Sequence, residues 1–102
     1  MDSIAYLIKQ RTTTDEIEQQ IETDEKQTPI FIEVQSVSRG EFYNAGREGL
    51  MPEFVFITAA INYNGEDTVD FAGQRFAIYR TYRAGDSDQI ELYVQKKTGD
   101  GK

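Results

Sequence analysis

Residues Ser36–Phe54, SVSRGEFYNAGREGLMPEF, separate two strand-like runs and interrupt the β pattern of the chain. The run before them, Pro29–Gln35, places Ile or Val at alternate positions, and the run after them, Phe54–Ile61, is rich in β-branched and aromatic residues. A connection this long in a small domain is usually functional or disordered, and its mixed aromatic and charged residues are not typical of disorder. We therefore expect this stretch to carry the function.

The rest of the chain outside this stretch reads as short strands separated by turns. The N-terminal run Ile4–Thr14 favours a first strand. Three alternating or β-rich runs that follow the central stretch predict further strands at Thr68–Phe71, Arg75–Tyr82 and Gln89–Gln95. Turn residues separate them at Asn62–Asp67, Ala72–Gln74 and Arg83–Asp88. This pattern predicts an all-β fold, a small antiparallel β-barrel or sandwich.

Two interpretations are open for Asp15–Lys26. Ile17 and Ile21 have helical spacing behind an acidic start, which favours a helix. The alternative, which we favour, is a polar turn at Asp15–Glu18 and then an edge strand that ends near Lys26. In that interpretation Pro29 begins the next strand, where a missing N–H donor does least harm.

A short helix is expected inside the central stretch. Ser38 and Glu41 form the S-x-x-E capping box, in which each side chain satisfies a free backbone N–H at the helix start. Gly46 and Gly49 then limit the helix to a turn or two, and Pro52 opposes its continuation. The expected architecture is therefore a barrel or sandwich with one long loop that carries a short helix between two strands.

Length and composition indicate one small soluble domain. The chain has 102 residues, of which 38% are hydrophobic and 28% charged, enough for a single modest core. We assign this domain to residues 1–97, and 98–102 to a flexible polar tail within Lys96–Lys102. The start Met1–Ser3 lacks the basic residues of a secretory signal, so we expect a protein that is not exported.

The absence of cysteine and histidine removes most catalytic and metal-binding chemistry. The chain has no thiol nucleophile, no thiolate ligand and no imidazole base. We therefore expect no enzyme activity, no cofactor and no metal site. The net charge of -7 disfavours adsorption to nucleic acid or anionic lipid, so a protein partner is the better expectation.

Four segments together resemble a known family. They are the central stretch, NYNGE from Asn62, FAIYRTY from Phe76 and IELYVQKK from Ile90. In this combination they are similar to the head-tail joining proteins, also called head closure or stopper proteins, of tailed bacteriophages and prophages. The resemblance covers about Ile30 to Lys97 and is weakest over Asp15–Lys26.

The resemblance implies a structural virion protein without enzyme activity. Such a subunit forms a homo-oligomeric ring under the portal and its adaptor, closes the DNA-filled head and docks the tail. It implies as partners further copies of the chain, the portal-adaptor proteins above and the tail proteins below, with DNA passing through the channel unbound. The expected location is the virion, after assembly in the host bacterial cytoplasm, and the isolated subunit can be monomeric.

The expected contact residues lie in the central stretch. A ring subunit presents two different faces, and this stretch offers charges of both signs with aromatic side chains. The oligomer- or partner-binding residues are Ser38, Arg39, Glu41, Phe42, Tyr43, Arg47, Glu48 and Met51. Phe42 and Tyr43 have an equally ordinary alternative role, packing the loop onto its own barrel. Gly46 and Gly49 are the expected hinges if the loop closes the channel.

Two further classes of function are weighed against the ring subunit. A small binding module for a peptide or other ligand would use a groove of aromatic side chains, here Tyr63, Tyr79, Tyr82 and Tyr93, although packing on the outer face of the sheet is the commoner role. An enzyme would use paired carboxylates, Asp86 with Asp88 or Glu66 with Asp67. Both pairs lie in turns, where acidic residues are expected for backbone reasons.

Overall fold

The computed structural model describes residues 2–14 and 21–97, which form six β-strands, one α-helix and one 3₁₀ turn. In chain order the strands are β1 (Asp2–Thr14), β2 (Ile21–Gln35), β3 (Pro52–Ala59), β4 (Thr68–Phe71), β5 (Gln74–Tyr82) and β6 (Gln89–Lys96). The helix α1 spans Arg39–Gly46 between β2 and β3, and the 3₁₀ turn Ala60–Asn62 follows β3. In the part of the chain so described, no helix is long and apolar enough to cross a membrane.

The six strands form a closed antiparallel barrel. Its order is β1–β2–β3–β6–β5–β4, and β4 pairs back with β1 to complete the circle. The all-β prediction is confirmed, and of the two predicted forms the barrel is the one observed. The long loop with a short helix between two strands is confirmed as well.

The barrel interior is filled by side chains that alternate with outward-facing ones along each strand, as expected for so few strands. Phe54 and Phe56 from β3 meet Phe71 and Phe76 from β4 and β5, with ring centroids 5.2–6.4 Å apart. Aliphatic residues complete the core: Ala5, Leu7, Ile30, Ile32, Val69, Ile90, Leu92 and Val94. The inward alternation predicted for β2, β5 and β6 is therefore observed.

β1 and β2 form one long hairpin that extends past the barrel. They pair continuously from Asp2 with Glu33 to Thr14 with Ile21, whereas β4 contacts β1 only at Tyr6–Ile8 and β3 contacts β2 only at Glu33–Gln35. The helical interpretation of this region is wrong from Ile21 onward, and the strand interpretation is confirmed there. The predicted turn at Asp15–Glu18 lies outside the described residues.

Pro29 lies inside β2, so the prediction that it begins a strand is wrong. It pairs with Tyr6 in β1, while the other edge of β2 has no partner strand at this position. A missing N–H is tolerated at such an edge because no ladder hydrogen bond needs it. The strand that ends near Lys26 and the strand that begins at Pro29 are consequently one strand.

Other element ends differ from the prediction by a few residues. β3 ends at Ala59, because the 3₁₀ turn takes up Ala60 and Ile61. β6 includes Lys96, and the N–H of Lys97 donates to the carbonyl of Arg75, so the predicted polar tail does not begin at Lys96. Residues 98–102 lie outside the described part of the chain.

Candidate functional site: the segment between β2 and β3

The long connection leaves the barrel and returns to it at the same place. Gln35, the last residue of β2, is the register partner of Val55 in β3. The intervening residues carry α1, which lies against β3. Because the two ends are paired strands, the segment is an insertion in a β-hairpin, fixed to the barrel at both ends.

The start of α1 is capped by Ser38, as predicted. The N–H of Glu41 donates to Ser38 Oγ at 3.1 Å, and Ser38 has the extended backbone typical of an N-cap residue. The Glu41 side chain does not make the reciprocal hydrogen bond of the predicted capping box. Its carboxylate contacts the barrel instead.

The Glu41 carboxylate fastens α1 to strand β5. Tyr79 Oη donates to Glu41 Oε2 at 2.6 Å, and Arg80 donates through Nη2 to Oε1 at 2.6 Å and through Nε to Oε2 at 3.2 Å. Two neighbouring residues of a strand normally point to opposite faces, but the β5–β6 register shifts between Ile78 and Arg80. This β-bulge places Tyr79 and Arg80 on the same outer face.

Electrostatics favour the ionised form of Glu41 at this site. The hydrogen bonds from Arg80 hold the pKa of Glu41 below its ordinary value against the opposing effect of burial, and Tyr79 adds to the lowering. The pKa of Tyr79 is raised by its burial and by its bond to Glu41. The Glu41 side chain is only 11% exposed, whereas that of Arg80 is 44% exposed, so solvent weakens the Arg80 part of this interaction.

A second layer of contacts on β6 supports Arg80. Its guanidinium lies 3.9 Å from the centre of the Tyr93 ring, and Tyr93 packs beside Tyr79 with centroids 6.4 Å apart. Tyr93 Oη donates to Glu91 at 2.6 Å. Burial, together with this bond, raises the pKa of Tyr93 to about 12. The side chains of β5 and β6 that support α1 therefore form a connected polar and aromatic network.

The segment returns to β3 through a well-defined helix end. The N–H of Leu50 donates to Ala45 O and the N–H of Gly49 to Gly46 O, both at 3.0 Å, and Gly49 has φ +84°. This is the Schellman pattern, in which glycine takes the left-handed position after a helix. Next to it, the N–H of Met51 donates to Gln95 of β6 at 3.0 Å. Gly49 thus ends the helix, and its proposed role as a hinge stays a prediction, as does that of Gly46.

Three of the predicted contact residues are largely exposed. Phe42, Tyr43 and Met51 are 55%, 69% and 72% exposed, which favours a contact role for Phe42 and Tyr43 over packing of the loop onto its own barrel. Ala45 is the buried residue of α1. We call Phe42, Tyr43 and Met51 the α1 surface. Its rim carries exposed charges of both signs: Arg39, Arg47 and Glu48.

A concave space lies between α1 and β5. Its volume is about 370 Å³, and its lining includes Glu41, Ala45, Glu48, Tyr79 and Arg80. The space is open, and two of its charged groups, Glu41 and Arg80, are paired with each other, whereas Glu48 is exposed. It is therefore an open cleft rather than an enclosed ligand site.

The tyrosines considered for a binding groove have other roles. Tyr79 and Tyr93 support α1, and Tyr63 Oη donates to the carbonyl of Glu66 at 2.8 Å while its ring packs on the core. Burial raises the pKa of Tyr63. Tyr82 is half exposed.

Of the two carboxylate pairs considered for catalysis, the pair Glu66 and Asp67 accepts local hydrogen bonds. Glu66 is buried and accepts from the N–H of Asn64 at 2.8 Å, while Asp67 accepts from the Thr68 hydroxyl at 3.1 Å. Asp88 contributes its backbone carbonyl to the N–H of Ala60. Among the described residues, no group of three or more acidic side chains is arranged to hold a metal ion.

The sequence did not identify the residues that hold the segment. It gave no such role to Arg80 or Gln95, and it predicted that Glu41 takes part in the capping box and binds a partner. Each is far from its partner along the chain, 39 residues for Arg80 and Glu41. The available signal was the pair Tyr79–Arg80, which departs from the alternation of β5, but a bulge cannot be placed without its partner strand.

Comparison with protein-family models, with curated proteins and with solved structures finds no match to this chain.

Proposed function

We propose that this protein is a structural subunit of the head-tail connector of a tailed bacteriophage or prophage. In this role it forms a ring under the portal and adaptor, closes the DNA-filled head and docks the tail. The observation that carries the proposal is the α1 surface: three large apolar side chains exposed on a segment that is fixed to a small closed barrel. The resemblance of the central stretch to head closure proteins supports it independently.

The physical character of the segment suits a contact between proteins. Large aromatic and methionine side chains with arginines at the rim are the composition enriched at protein interfaces. The Glu41 attachment and the capped helix ends hold these side chains in place before a partner arrives, which lowers the entropy lost on binding. The barrel interior is filled by phenylalanines, so function belongs on the outside.

The acidic balance of the chain suits a channel for DNA. A net charge of -7 repels phosphate, whereas a basic wall would bind it through counterion release. In this proposal DNA passes the ring without specific binding. A tight, salt-sensitive complex of the purified protein with duplex DNA would contradict this part.

The proposal is tested in the virus or prophage that encodes the chain. The first variant deletes residues 38–51 and joins Val37 to Pro52, which the pairing of Gln35 with Val55 permits. The second leaves the segment in place and replaces Phe42, Tyr43 and Met51 by serine. We expect filled heads that lose their DNA and carry no tails in both cases.

The matched control is Ile61→Ser, which removes an even more exposed apolar side chain (85%) from the 3₁₀ turn. Exposed substitutions of this kind change stability by about 0.5 kcal/mol or less, so folding is not the variable. Control virions should be normal. Normal virions from the triple serine variant would refute the proposed role of the α1 surface.

A further inference from the structure

A second exposed apolar surface lies on the strand pair β1–β2. Ile4, Tyr6 and Phe31 are 48%, 41% and 72% exposed, and we call these three residues the β1–β2 face. Ile4 and Phe31 are direct register partners, and Tyr6 pairs with Pro29 two positions along. Cross-strand partners share one side of a sheet, so these side chains form one continuous patch. Alternate residues such as Ala5 and Ile32 are buried in the core.

The β1–β2 face and the α1 surface are two separate apolar surfaces. In the order β1–β2–β3–β6–β5–β4, β1 lies three strands from β6, and β2 lies three strands from β5. The segment with α1 is held by β5 and β6, through Arg80 and Gln95, and also lies against β3. Two separate apolar surfaces on one subunit are what a head-to-tail contact between copies needs, since each copy uses a different surface on each side.

The β1–β2 face also has a concave border. Where β2 and β3 cease to pair beyond Glu33 and Ile57, a groove of about 330 Å³ opens beside Phe31. The Thr58 hydroxyl spans this gap by donating to Phe31 O at 2.8 Å, which holds the two strands in place. A groove next to an exposed aromatic ring can receive the side chains of a projecting helix.

The arginines beside the α1 surface and a glutamate of the β1–β2 side have opposite charges. Arg39 and Arg47 are exposed beside the α1 surface, and among the described residues neither takes part in an ion pair. Glu33 is exposed on the same side of β2 as Phe31 and lines the groove. Opposite charges at the rim of an apolar contact steer its orientation more than they strengthen it.

We propose that copies of this chain associate head to tail, with the α1 surface of one copy packed on the β1–β2 face and groove of the next. The contact is heterologous, so it leaves one free surface at each end until a ring closes. This inference deepens the function proposed above, on which the choice of a second copy as the partner rests. It assigns the second of the two faces that a ring subunit must present.

The test uses thiol cross-linking, because the natural chain contains no cysteine. One variant carries Asn44→Cys beside the α1 surface, and another carries Gln27→Cys beside the β1–β2 face; both positions are exposed. A short thiol-specific cross-linker is added to each variant alone and to their mixture. We expect the mixed dimer in about tenfold excess over either homodimer, and a ladder of larger products from the variant that carries both cysteines.

Apolar substitutions then identify the surfaces. Tyr43→Ser in the Asn44→Cys copy should reduce the mixed dimer about tenfold, as should Phe31→Ser in the Gln27→Cys copy. Exchanging the two substitutions between the copies should leave the yield unchanged, because each then alters a surface outside the mixed contact. Ile61→Cys in place of Gln27→Cys is the control and should give no excess. Equal yields of mixed dimer and homodimer, or equal yields with the control, would overturn the head-to-tail assignment.

The results separate this inference from the proposed function. Leaking heads in the triple serine variant, together with no excess of mixed dimer, would leave head closure standing and refute only the surfaces assigned to the ring contact. The mixed dimer together with normal virions from the triple serine variant would show head-to-tail association and refute the role of the α1 surface in head closure.

Discussion

The Glu41 attachment gives the sharpest test of how the segment between β2 and β3 is held. Glu41→Ala removes three hydrogen bonds at once, one from Tyr79 and two from Arg80. A hydrogen bond to a charged group contributes about 1.5–3 kcal/mol to stability. The Arg80 side chain is 44% exposed, which reduces its share toward the value of a surface ion pair. We therefore expect the free energy of unfolding to fall by about 2–3 kcal/mol in total.

The assay is urea unfolding of the purified protein, with hydrogen exchange of the amides in residues 41–50 as the local measurement. Glu48→Ala is the matched control because Glu48 belongs to the same segment and borders the same cavity but is exposed. Its effect should stay within about 0.5 kcal/mol. In Glu41→Ala the amides of α1 should exchange faster, whereas those of the core strands should lose no more protection than the global stability loss explains.

A double-mutant cycle assigns the effect to the pair. Arg80→Ala added to Glu41→Ala should cost less than the sum of the two single variants, by about 1 kcal/mol or more. Equal stability of Glu41→Ala and Glu48→Ala, or additive effects of Glu41→Ala and Arg80→Ala, would refute the reasoning that this carboxylate fixes the segment to the barrel.

Two other predictions concern the same segment. Because the pKa of Glu41 is lowered in the folded state, its stabilising effect is fully present above the unfolded pKa of about 4.3 and is lost as the pH falls through the folded pKa. The difference in unfolding free energy between the natural chain and Glu41→Gln should therefore shrink in urea titrations below about pH 4.3, and a difference independent of pH would contradict it. Gly49→Ala should destabilise the protein by about 1 kcal/mol, because φ at Gly49 is +84° and a Cβ disfavours that conformation. Gly46→Ala is its control, since an added Cβ meets open space at both positions and only Gly49 has a positive φ; equal thermal unfolding of the two variants would argue against the Schellman end.

The two proposed roles, head closure and head-to-tail association, place different demands on the segment. The first requires exposed side chains that contact other proteins, and the second requires two separate surfaces on the subunit. The Glu41 network bears on both proposals, because it holds in place the helix that carries Phe42 and Tyr43. Pre-positioned aromatic side chains bind with a smaller loss of conformational entropy.

Local patterns in the sequence determined the strands, the capped helix and the inward-facing residues. Alternation in β6 places Ile90, Leu92 and Val94 in the core, and Ser38 caps α1, because both signals act between residues that are neighbours along the chain. The same local reasoning identified the segment between β2 and β3 as the part outside the barrel pattern. It also supplied the exposed residues of the α1 surface.

Only the tertiary structure decided what the segment rests on and which second apolar surface the barrel exposes. The bulge at Tyr79, the Glu41–Arg80 contact and the closure of β1 on β4 join residues far apart in sequence, and no local periodicity encodes their partners. Pro29 was misplaced for the same reason, since its tolerance depends on which edge of β2 lacks a neighbour. The β1–β2 face became visible because closing the barrel fixes which side of each strand remains in solvent.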